Sequence, residues 1–142
     1  MTVPTNLGHK PIIAVNDYDQ IDGKYQNNTD AKALSIGSAQ YDSDEISLKV
    51  FRYIGQWSRQ SEELPIHRVL DLSILLLRAL VPEQNILLQS PISTRMREMK
   101  DMSSEKSKDD ILNHCKNDRS NLLPRIEELK YLLNVIDYKT II

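Results

Sequence analysis

Apolar and polar positions change their spacing several times along this chain, and each spacing predicts an element. Lys10-Pro-Ile-Ile-Ala-Val15 is a short apolar run of the length of a strand. The Asn16 to Tyr25 segment that follows is acidic, aromatic and rich in turn formers. Asn27-Asn28-Thr29-Asp30 then supplies helix N-cap chemistry, so Ala31 to Tyr41 reads as a short helix interrupted at Gly37. From Glu45 to Ile54 the period becomes two. Ile46, Leu48 and Val50 fall on one side and Ser47, Lys49 and Phe51 on the other, the pattern of a half-buried strand, and Gly55 ends it.

The longest apolar stretch runs from Pro65, well placed in a first helical turn, to Val81. Ile66, Val69, Leu70, Leu72, Ile74 and Leu75 to Leu77 leave it apolar almost all round, which predicts a central buried helix. His67, Asp71 and Arg78 break the pattern. At about 100° per residue they lie within roughly 40° of one another and form one polar stripe. On a buried helix such groups need partners, from each other, from Glu62 or Glu63, or from a ligand.

Beyond Pro82, Ile86 to Ile92 reads as a second core strand or an extended connector, with Pro91 favouring an edge. Met96, Met99 and Met102 recur every three residues in an otherwise polar run, as one face of a helix would. The charges from Arg95 to Asp110 cancel, which suits a solvated face or a mobile arm over residues 94–118. Pro124 is expected to open a last helix to about Tyr138, with Ile126, Leu129, Leu132, Leu133 and Ile136 on its buried side.

Composition narrows the function classes. A chain of 142 residues with 40% hydrophobic content can bury one sizeable core. A net charge of −2 lacks the basic surplus of a protein that binds duplex nucleic acid. Cys115 is the single cysteine, so an intrachain disulfide and a cysteine zinc site are excluded, in keeping with a reducing cytoplasm. The Ile74–Leu77 run is too short and too closely flanked by charge to cross a membrane. Phosphate-loop, dinucleotide-loop, nucleophile-elbow, metalloprotease and calcium-loop motifs are all missing, which lowers the expectation of an enzyme. His9, His67 and His114 are too scattered to suggest a metal, and no residue pattern calls for a cofactor.

The candidate chemistry lies in Trp57 to Asp71. Arg59 and Arg68 offer forked donors to phosphate, and Trp57, Tyr53 or Tyr25 offers a ring to stack on a base. The helix start at Thr29 and Lys32 offers further contacts, although Asp30 there opposes an anion. Asp71 is placed to orient His67 or Arg78. Glu62 or Glu63 with His67 would be the acid–base pair of a small hydrolase or transferase, the weaker reading.

Three segments, Asp17 to Tyr25, Asn28 to Ser35 and Trp57 to Leu72, resemble a family of small bacterial and phage proteins of unknown function, over roughly residues 9–80. The resemblance implies that these segments come together, and it carries no catalytic residue. Proteins shared with phages include sponges that sequester nucleotide signals of antiphage defence, and the basic and aromatic candidates here are similar in kind.

The expectation is therefore a single α/β or α+β domain over residues 1–142, with the central helix packed on a small sheet. Its expected function is non-enzymatic binding of a small anionic ligand of the nucleotide or cyclic-nucleotide class, at Tyr25, Thr29, Lys32, Trp57, Arg59, Glu62, Glu63, His67, Arg68 and Asp71. A protein-interaction or inhibitor module is the alternative. A homodimer is the assembly considered, since two chains can build a pocket that one cannot.

Overall fold

A computed structural model describes residues 1–59, 61–81 and 89–136. The architecture is α+β, and the chain divides into two compact units, Met1–Met99 and Lys100–Ile142.

The first unit is built on a four-stranded antiparallel sheet: β1 (Lys10–Asn16), β2 (Ala31–Ser38), β3 (Ile46–Arg52) and β4 (Glu63–Pro65), in that spatial order. Strands that follow one another in sequence pair with one another, as hairpin connections favour. Two 3-10 turns, Tyr18–Gln20 and Gly23–Tyr25, fill the connection from β1 to β2. The expected strands at Lys10 and Glu45 are both present.

The helix expected over Ala31 to Tyr41 is instead the strand β2. Thr29 Oγ1 does accept the Ala31 N–H, at 3.2 Å, but this closes a turn into a strand and not a helix cap. Pairing on both sides decides the conformation: Ser35 stands opposite Ala14 of β1 and Lys49 of β3. Tertiary ladders of this kind override a weak local preference.

The sheet also reverses the polarity that alternation suggests. Ser47, Lys49 and Phe51 form the buried set of β3, with Ala31, Ala33 and Ser35 beside them on β2. On the other face Ile13 stands opposite Ile36, Val15 opposite Leu34, and Leu48 opposite both Ile36 and Leu64. Ile13, Val15 and Ile36 on that face are 63%, 51% and 40% exposed.

Helix α1 (Ile66–Leu80) follows β4 without a break and packs against β3, β4 and the short helix α2 (Pro91–Met96). Its bounds match expectation and its burial does not. None of its residues is buried, and Leu70 is 58% exposed. The reason lies in the packing: within the first unit α1 meets β3, β4 and α2 along part of its circumference, and Leu70, Leu72 and Leu76 are left exposed. Helix α2 is capped by Ser90 Oγ, which accepts the Ser93 N–H. The connector expected at Ile86–Ile92 falls largely outside the described residues, and its last two positions, Pro91 and Ile92, open α2.

The second unit contains α3 (Lys108–Asn117) and α4 (Arg119–Val135). Ser107 and Asp110 form a reciprocal capping box that fixes the start of α3. Helix α4 begins five residues before Pro124, which sits inside it rather than at its first turn. The ring removes one backbone donor there, that to the Ser120 carbonyl. Met96 ends α2, and Met99 and Met102 lie outside any helix, so the three methionines do not share a helical face.

Candidate functional site

Among the described residues, the densest polar chemistry lies on the buried face of the sheet. His9, immediately before β1, is 0% exposed, Ser47 is 0%, and Ser35 and Lys49 are each 4%. Buried polar groups need partners, and these have them. His9 Nδ1 is 3.0 Å from Ser47 Oγ, and His9 Nε2 is 2.9 Å from Ser35 Oγ. Ser47 in turn donates to Glu63 Oε1 at 2.9 Å, where the Gln40 N–H also donates at 2.8 Å.

The direction of every proton in this chain follows. Glu63 accepts the Ser47 proton, so Ser47 Oγ is left to accept, and it takes the proton of His9 Nδ1. His9 Nε2 is then the acceptor for the Ser35 hydroxyl. The relay reads Ser35 to His9 to Ser47 to Glu63, with the carboxylate at its end.

Charge follows the same logic. Burial pushes the Glu63 carboxyl up, but the Gln40 and Ser47 donors, with His9 and Lys49 nearby, hold it below the usual carboxylate range. Lys49 Nζ lies 4.0 Å from Glu63 Oε2 and 5.2 Å from the centre of the Phe51 ring. Burial lowers the Lys49 ammonium, against the pull of Glu63 and Glu62. Burial likewise lowers His9, opposed by Glu63 and assisted by Lys49. Neutral His9 therefore accompanies one cation and one anion.

Aromatic rings extend the cluster. His9 meets Phe51 edge to face at 5.6 Å, Phe51 meets Trp57 at 5.7 Å, and Trp57 meets Tyr53 at 5.1 Å. Trp57 reaches this position through a tight turn at Gly55, whose φ of 67° suits glycine.

The residues expected to form a ligand site are distributed differently. Glu63 belongs to the buried relay. Glu62 accepts from Arg52 at 3.0 and 2.6 Å, and Asp30 accepts from the same guanidinium. The Arg52 bonds, first among the causes, hold the Glu62 carboxyl below its usual range. Lys32 pairs with Asp19 at 3.3 Å, and Thr29 closes the turn before β2. Trp57 packs between Phe51 and Tyr53. Tyr25 is exposed, with Lys24 Nζ 5.3 Å from its ring. Arg59, His67 and Arg68 are exposed and Asp71 is half-buried. Arg78 donates to Ser93 Oγ at 2.7 Å. Among the described residues no ion pair joins His67, Asp71 and Arg78, and none of the three is buried.

Sequence reasoning missed His9, Ser35, Ser47 and Lys49. One signal was present. A lone Gly37 two residues after Ser35, within a period-two run, marks a close approach of backbone rather than a helix interruption.

Residues 1–138 match the family of unknown function DUF6530, and the chain belongs to that family. The match reaches well past the expected residues 9–80 and takes in the C-terminal third. No curated protein and no solved structure matches the chain. Among the described residues, no helix is long and apolar enough to cross a membrane.

Proposed function

We propose that this chain is a non-catalytic binding protein that acts as a pair of copies joined through the apolar face of its sheet. The observation that carries this reading is the exposure of Ile13, Val15 and Ile36 side by side on one sheet face. Contiguous exposed apolar surface of this kind marks an interaction site.

A second copy is the occupant the surface fits best. Ile13, Val15, Leu34, Ile36, Leu48 and Val50 bring no charge to the middle of the face, so two copies meet without like-charge repulsion. A two-fold contact needs only one self-complementary patch. The edge of β1 is a poorer candidate, because Lys10, Pro11 and the irregular register between Pro11 and Ile13 disrupt strand addition there. Binding is preferred to catalysis because Ser35 and Ser47, the hydroxyls set against His9, are closed or almost closed to solvent.

Sedimentation of the whole chain tests the reading. The wild-type chain is expected to run as a dimer at tens of micromolar, and Ile13→Lys as a folded monomer with the same circular dichroism. A wild-type monomer up to hundreds of micromolar would overturn it.

Anion binding is the second reading, and one observation favours it. Arg59 and Arg68 are exposed and, among the described residues, hold no carboxylate, whereas Lys32, Lys49 and Arg52 each face one. A thermal-shift screen against mono-, di- and cyclic nucleotides is expected to give a hit that Arg59→Ala weakens without unfolding the chain. Saturation at a hundredfold excess over Kd stabilises by about 2.7 kcal/mol, enough to see. A flat screen would remove this reading and leave the first untouched.

A further inference from the structure

We propose that His9 makes the attachment of β1 to the sheet depend on pH, so that acid loosens this edge strand while the centre of the sheet stays paired. The relay is closed to substrates, with Ser35 4% exposed and His9 and Ser47 at 0%, so its consequences fall on the fold.

The charged groups that face His9 come from two strands. Lys49 stands on β3 and Glu63 on β4, while β2 contributes Ser35 and Gly37, and β3 adds Ser47 and the Phe51 ring. With His9 neutral, Lys49 and Glu63 balance. A proton on Nε2 leaves the hydrogen bond to Ser35 intact, since that hydroxyl can turn and accept. It does leave a charged ring with no solvent around it, and Glu63, whose Oε1 is 3.6 Å from His9 Nδ1, must then serve two buried cations.

The place that yields is set by topology. Lys49 lies on β3, which is paired on both sides, and Glu63 is held by Gln40 and Ser47. His9 precedes an edge strand that pairs only with β2. Moving His9 into water restores the hydration that burial denies the charged ring, at the cost of one ladder, and local openings of this kind need far less energy than global unfolding.

The sign is fixed by linkage. The folded value of His9 lies below its ordinary 6.5, so the open state binds the proton more tightly. The contribution is complete above pH 6.5 and is lost as pH falls through the folded value. Glu62 and Glu63, both below their ordinary 4.5, add a loss of the same sign only at lower pH, which separates the two effects.

Amide hydrogen exchange on the whole chain, corrected for intrinsic rates, tests this between pH 7 and pH 5. Amides bridging β1 and β2 are expected to open more readily as pH falls below 6.5, approaching the limit of about tenfold per pH unit for one proton taken up on opening. Amides between β2 and β3 are expected to hold. In His9→Gln the pH dependence of the β1 amides should vanish over this range. Unchanged β1 protection in the wild-type chain, or equal loss in β1 and β3, would overturn the proposal, and this comparison stands even where His9→Gln does not fold.

Discussion

Glu63→Ala is expected to destabilise the first unit by roughly 3–5 kcal/mol, the loss typical of breaking one side of a buried ion pair. The carboxylate does three things at once: it accepts the Gln40 N–H and the Ser47 hydroxyl, and it faces Lys49, whose side chain is nearly closed to water. Its removal strands an ammonium and orphans the buried Ser47 hydroxyl. The cost comes from what is left behind, so it should be reversible without restoring the carboxylate. Lys49→Met in the Glu63→Ala background replaces the stranded charge by a flexible apolar chain against Phe51, and it is expected to recover a large part of the loss. Trp57, the single tryptophan, touches Phe51 and gives a fluorescence signal for urea unfolding. A loss under about 1 kcal/mol would place Lys49 in water, in the range of a surface pair, and would contradict its burial against Phe51.

What the sequence makes legible depends on whether an element declares itself locally. β1, β3 and α1 do, through a short apolar run, a strict alternation and a long apolar stretch. β2 does not. Its buried positions, Ala31, Ala33, Ser35 and Gly37, are small residues, so its alternation carries little of the hydrophobic contrast that marks a strand. The buried relay is illegible for the same reason, since His9 meets partners 26 and 38 residues away, across pairings that exist only once the sheet has formed. The alternation in β3 is visible in the sequence, but the face holding Ser47 and Lys49 is the buried one. Hydrophobicity alone does not decide that; a partnered lysine and serine can be buried while isoleucines are left to solvent. Of the expected site residues, Glu63 reaches the cluster through its place on β4, opposite Lys49, and not through His67.

Gly37→Ala is expected to be as damaging as the loss of Glu63, though it removes no interaction. A Cβ at this position would stand 2.1 Å from the Lys10 carbonyl oxygen and 2.9 Å from His9 Nε2. The first contact is with backbone, which cannot swing aside as a side chain does, and it falls where Pro11 of β1 stands opposite Gly37. Relief requires the start of β1 to move away from β2, and His9, one residue earlier, must leave its contacts with Ser35 and Ser47. Overpacking typically costs about 1–3 kcal/mol, and coupling to the relay places this case at the upper end or beyond. Gly23→Ala provides the comparison. That glycine has φ of 52° and open space around it, so alanine there meets backbone strain alone, worth roughly 1–2 kcal/mol. Urea midpoints for the two variants separate the causes. A Gly37→Ala loss no larger than that of Gly23→Ala would mean that β1 accommodates a methyl group, and that the close approach of His9 to the sheet is not what fixes glycine at this position.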